Sequence, residues 1–89
     1  MKAVVSVLGR DQIGIVYLVT EQLQKHKFNI LDISQTIVDG YFTMILVVEH
    51  ADENFALEEV VEEYQSLGEE LGLDIRLQHE ALFSRMHRI

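Results

Sequence analysis

The residues best arranged for chemistry lie in one short stretch, Gly9-Arg10-Asp11-Gln12-Ile13-Gly14. It joins a segment with strand-like alternation to one with helical spacing. The first backbone N–H groups of a helix have no intrahelical partners and carry partial positive charge, so a carboxylate is a natural guest there. Asp11, beside them, could accept hydrogen bonds from an ammonium group. A helix terminus for the carboxylate and one aspartate for the amine form a minimal reader of a free amino acid. The same residues admit a purely structural reading, in which Asp11 caps the helix and Gly14 lets helix and sheet approach closely. Spacing alone leaves both readings open.

Other chemistries fare worse. The chain has no cysteine, which removes disulfides, iron–sulfur clusters, thiolate metal sites and cysteine nucleophiles. His26, His50, His79 and His87 fall on different elements with no regular ligand spacing, so neither a metal nor another cofactor is expected. Ser84 and His87 are one helical turn apart but have no orienting acid at a sensible spacing. Tyr41-Phe42-Thr43-Met44 offers aromatics without the basic and glycine context of an RNA-binding strand. The run from Gly9 to Tyr17 loosely echoes the phosphate loop of acylphosphatase-like hydrolases. Leu18 stands where that loop needs an arginine, and Asp11 would repel a phosphate. No catalytic constellation survives, and the expectation is a protein that is not an enzyme.

The totals point the same way. A formal charge of −8 opposes nucleic-acid binding, which rests on cations neutralising phosphates. Most of the acidity sits between Asp52 and Glu70, where a solvated helix face is the simplest explanation. No apolar run approaches the ~20 residues that span a bilayer, and Met1-Lys2-Ala3-Val4-Val5 leads directly into a strand pattern. A cytoplasmic protein without membrane partners is expected. At 89 residues the chain reads as a single domain, 1–89, small enough to gain from a partner subunit.

The elements that must position the loop follow from periodicity. Lys2 to Leu8 is apolar on both sides, as in a covered central strand, with Gly9 to Gln12 as the loop beyond it. From about Ile13 to His26 the spacing turns helical, with Ile15, Val16, Val19 and Leu23 in one stripe. Asn29 to Val38 is a second strand that sets Leu31, Ile33 and Ile37 against Asp32, Ser34 and Thr36. Asp39-Gly40 supplies the two positive-φ residues of a tight hairpin, and Tyr41 to Glu49 is another interior strand. Asp52, Glu53 and Asn54 offer caps for a second helix striped by Leu57, Val60, Val61, Tyr64, Leu67 and Leu71, with Gly72 as its left-handed stop. Leu73 to Gln78 alternates again, and Leu82, Phe83, Met86 and Ile89 recur at helical spacing in the tail.

The order β-α-β-β-α-β predicts an α+β, ferredoxin-like fold: a four-stranded antiparallel sheet with two helices on one face and a short C-terminal helical tail. Two interior strands that are apolar on both faces then need cover on the helix-free side, from the tail or a second subunit.

Gly9-x-Asp11-x-x-Gly14-Ile15-Val16, followed by Asn29-Ile30-x-Asp32-Ile33-Ser34-Gln35-Thr36, resembles ACT domains over essentially the whole chain. The likeness is closest to a small stand-alone bacterial group catalogued as an uncharacterised protein family. It extends to the ACT repeats of glycine-cleavage-system regulators. The resemblance implies an amino-acid-responsive, non-catalytic regulatory module that pairs with itself. Its ligand would lie between Arg10, Asp11, Gln12, Ile13 and Gly14 of one chain and Asn29, Asp32, Ser34 and Gln35 of its neighbour. A pairing module without a ligand is the alternative.

Overall fold

The computed structural model describes residues 1–86. Its elements are β1 (Lys2–Arg10), α1 (Ile15–Lys25), β2 (Asn29–Val38), β3 (Tyr41–Glu49), α2 (Glu58–Leu71), β4 (Asp74–His79) and α3 (Glu80–Met86). The strands form one antiparallel sheet in the order β2-β3-β1-β4. This is the ferredoxin-like arrangement that the pattern predicts. Of the tail residues, His87 and Ile89 lie outside the described part.

Alternation decides which side of the sheet is dry. Ala3, Val5 and Val7 of β1, with Phe42, Met44, Leu46 and Val48 of β3, are buried beneath Ile15, Val19 and Leu23 of α1 and Val60 and Tyr64 of α2. Within that core the Tyr64 hydroxyl donates to the Val19 carbonyl at 2.7 Å, linking the two helices. Burial raises the Tyr64 pKa well beyond its ordinary value. The opposite face is covered only in part. Val4, which points that way, is buried, and Phe83 of α3 lies over this side, whereas Leu8 and Ile45 remain exposed. The tail therefore supplies some of the cover that the apolar strands demand.

The hairpin forms as expected, with Asp39 at φ 53° and Gly40 at φ 80°. Gly72 ends α2 at φ 71°. Other boundaries differ. β1 continues through Gly9 and Arg10, which pair with Phe42 and Tyr41, so these residues are strand and not loop. Helix α1 starts at Ile15 instead of Ile13, and Val16 is exposed on it. Helix α2 starts at Glu58 with no side-chain cap, so the predicted capping by Asp52 to Asn54 does not occur. Asp52 instead accepts the Asn54 N–H within a turn, at 2.9 Å. An aromatic cluster holds that segment. Phe55 stacks on His50 at 4.0 Å, and Phe28 meets both rings edge-on. His50 accepts the Asp52 N–H at Nδ1, and its Nε2 lies 3.0 Å from the His26 carbonyl, which places the ring proton on Nε2.

Two tests follow from this packing. A Cβ on Gly68 would stand 2.5 Å from the Leu73 carbonyl oxygen, where α2 turns into β4. Gly68→Ala is expected to cost about 1–3 kcal/mol in urea denaturation, the usual range for overpacking. Glu63 of α2 accepts a hydrogen bond from Lys25 at 2.8 Å and contacts the His26 ring, which ties the end of α1 to α2. The Lys25 bond, aided by His26 and opposed by burial, holds the Glu63 carboxyl below its ordinary 4.5. A depressed carboxylate stabilises the fold above its unfolded value, and that stability is lost as pH falls through the folded value. Glu63→Gln should therefore melt below the parent at neutral pH, with the gap closing from about pH 4.5 downward.

Candidate functional site

The loop after β1 is held at three points. The Asp11 N–H donates to the Gly40 carbonyl at 2.9 Å, joining the loop to the hairpin tip. Gln12 Nε2 donates to the Leu71 carbonyl at 3.0 Å, at the end of α2. Just before the loop, the Arg10 guanidinium carbon sits 5.3 Å from the centre of the Tyr41 ring. Between these anchors, Ile13 is fully exposed and Gly14 takes the N-cap position of α1 at φ 89°.

Both structural alternatives for this loop fail. No side chain caps α1, so Asp11 does not serve that role, and the first turn contains no acidic residue. A Cβ on Gly14 would meet nothing within 4 Å, so Gly14 is not there to admit a close helix–sheet contact. Its requirement is conformational, since a side chain is disfavoured at that φ. The close approach falls to Gly9, where a Cβ would lie 2.4 Å from Leu73 Cδ2. The first helical bond runs from the Leu18 N–H to the Gly14 carbonyl at 3.0 Å. The N–H groups of Ile15, Val16 and Tyr17 precede it and point out of the uncapped end. A carboxylate would meet no capping side chain there.

The second set of predicted residues lies elsewhere. All ten residues of β2 are exposed along a free sheet edge. Gln35 pairs with Met44, Ser34 with Ile45, Asp32 with Val47 and Asn29 with Glu49, and a bulge falls between Ile30 and Asp32. Arg10 pairs with Tyr41 at the other end of β3. Eight residue steps separate Tyr41 from Glu49, about 26 Å at the rise of a strand. Within one chain, Asn29 is therefore a full strand length from the loop. Register also splits the set by face. Asn29, Asp32 and Ser34 share the helix-free face with Arg10, while Gln35 shares the helix side with Met44. The structure gathers Asp11 to Gly14 and leaves the β2 residues apart.

Sequence reasoning missed Tyr41, whose ring supports Arg10, and the Gly40 and Leu71 carbonyls that anchor the loop. Tyr41 directly follows the Asp39-Gly40 turn, so its place at the hairpin was readable, but its pairing with Arg10 was not. Among the described residues, no three His, Asp or Glu side chains are placed to hold a metal ion. No described helix is long and apolar enough to cross a membrane.

With this fold and this loop, the chain falls within a known class. The family model described as ACT domain matches residues 2–78, and the chain belongs to that family. Within the family, the chain is 43% identical over 88 residues to a UPF0237 protein of Bifidobacterium longum (strain NCC 2705), covering 99% of this chain and 98% of that one. The solved ACT domain protein from Streptococcus pneumoniae superposes with a TM-score of 0.81 at 40% identity, covering 93% of each chain. A putative glycine cleavage system transcriptional repressor shares the fold at a TM-score of 0.74 and 21% identity, over 86% of this chain and 44% of that one.

Gly14→Ala is expected to lower stability by about 1–2 kcal/mol through its backbone conformation alone. Gly14→Asn should recover part of that loss in the same denaturation experiment, because asparagine tolerates the left-handed region.

Proposed function

We propose that this protein is a non-catalytic regulatory module that binds a free amino acid as a homodimer, at a site shared between subunits. The observation that carries the reading is the combination of an anchored, uncapped loop at α1 with Asn29 a strand length away and Asp32, Ser34 and Gln35 spread along the strand between. A two-fold axis that aligns two β2 edges antiparallel brings the Asn29 end of one strand beside the Val38 end of the other. The loop is tied to that second end through Asp11 and Gly40. The Asn29 end of β2, which one chain keeps away from its own loop, would thus reach the loop of its neighbour across a dimer. The ligand carboxylate would take the N–H groups of α1, and its ammonium would take Asp11 of the same chain. Asn29, Asp32, Ser34 or Gln35 would approach from the neighbour.

The edge itself supports pairing. β2 carries one charge, Asp32, and neither lysine nor proline, the residues that commonly protect an edge from association. Ile33 and Ile37 are 44% and 59% exposed along it. These features alone equally suit a pairing module that binds no ligand, so the two halves of the proposal need separate measurements. Calorimetric titration with the common amino acids should show saturable heat for at least one, and silence from all of them at millimolar concentration would end the sensing claim. Light scattering should give twice the 10.3 kDa chain mass. A folded Ile33→Lys, Ile37→Lys variant is expected to scatter as a monomer.

A further inference from the structure

We infer that the helix-free face of the sheet carries a second ligand site, complete within one chain, for a small carboxylic acid with an apolar body. A groove of about 370 Å³ lies between this face and α3. That volume is at the lower end of small-molecule pockets, which run roughly 300–1,000 Å³. Register builds its floor. Leu8 pairs with Thr43 and with Asp74, and in the next row Ser6 pairs with Ile45 and with Arg76. Each row thus brings an apolar side chain, a hydroxyl and a charged group from β4 onto one surface. Phe83 of α3 stands over the same groove.

These residues divide into three kinds of contact. Leu8, Ile45 and Phe83 offer an apolar slot, in which Leu8 and Ile45 are still 53% and 37% exposed. Ser6 and Thr43 add hydroxyls beside it. Arg76 closes the β4 side and donates its Nε–H to Asp74 Oδ1 at 3.1 Å, which sets the plane of the guanidinium. The two terminal amino groups of an arginine form a fork that matches a carboxylate. In a chain of net charge −8, an anion must be drawn by a local cation, and among the described residues Arg76 is the one that lines this groove. Asp74, which lines it too, occupies only the Arg76 Nε–H and leaves the terminal amino groups to an anion. A larger groove beside α2 and β4 is lined by Glu58 and Glu62 with no lysine or arginine among its described residues, and so offers an anion no such partner. This site uses neither the β1–α1 loop nor a neighbouring chain, so it stands apart from the amino-acid site proposed above.

The test is an amide-resolved NMR titration of the full chain with 4-methylpentanoate, and with 4-methylpentanamide as its uncharged counterpart. The acid should produce saturable shifts at residues 6, 8, 43, 45 and 76, and the amide should not. Arg76→Gln, at an exposed rim position, is expected to fold normally and to weaken the acid at least tenfold. Phe83→Ala should weaken it without altering the preference for the charged form. Absence of saturation at tens of millimolar acid would overturn the site, as would equal binding of acid and amide. So would undiminished affinity in Arg76→Gln, or shifts confined to residues 10–14 and 29–35. That last pattern would leave the loop site standing, whereas loss of amino-acid binding there would not touch this one.

Discussion

The rest of the structure depends on β1 running as one long strand between β3 and β4. Its buried side chains, Ala3, Val5 and Val7, form the middle of the core, and its pairing holds nine residues of β3 in register. Because the strand continues to Arg10, the chain must cross from the sheet to α1 within four residues, Asp11 to Gly14. Before that exit Gly9 leaves room for the Leu73 side chain, whose Cδ2 would stand 2.4 Å from a Cβ there. Gly14 completes the exit in a conformation that other residues resist. The crossing is pinned to Gly40 and Leu71, and no side chain caps the α1 end that it leads into.

The same interior position of β1 and β3 leaves β2 at an edge. A right-handed split β-α-β has no other place for it. Ten exposed residues with a single charge are a surface suited to a further strand. The loop and the edge are therefore two consequences of one topology. In the proposed reading the loop would provide polar recognition at one end of the sheet, and the edge a route for a neighbour to reach it. A shared site would bring the Asn29 end of the edge to a loop from which the single chain separates it.

Legibility in the sequence followed the range of the interactions. Asp39-Gly40 is a local signal, and it set β2 at 29–38 and β3 at 41–49 as predicted. Gly72 was readable for the same reason. The end of β1 was not, because Gly9 and Arg10 are strand only by pairing with Phe42 and Tyr41, about thirty residues away. Nor was the start of α2, since Asp52 resembles a cap in isolation but is drawn into a turn, while Phe55 is drawn into the cluster of Phe28 and His50. At the candidate site, residue types identified the loop. That Asp11 does not cap α1, that Gly14 faces open space, and that Arg10 belongs to the helix-free sheet face depends on the folded arrangement and not on residue types.

The central claim, a ligand site completed across two subunits, is tested most directly by complementation. Asp11→Ala disables the loop half and Asn29→Ala the strand half, so homodimers of either should bind no amino acid. After co-refolding equal amounts, half the dimers are mixed, and each mixed dimer carries one site with both defects and one with none. Calorimetry of the mixture is then expected to recover about one quarter of the parental sites at parental affinity. A mixture as silent as its two components would contradict the claim.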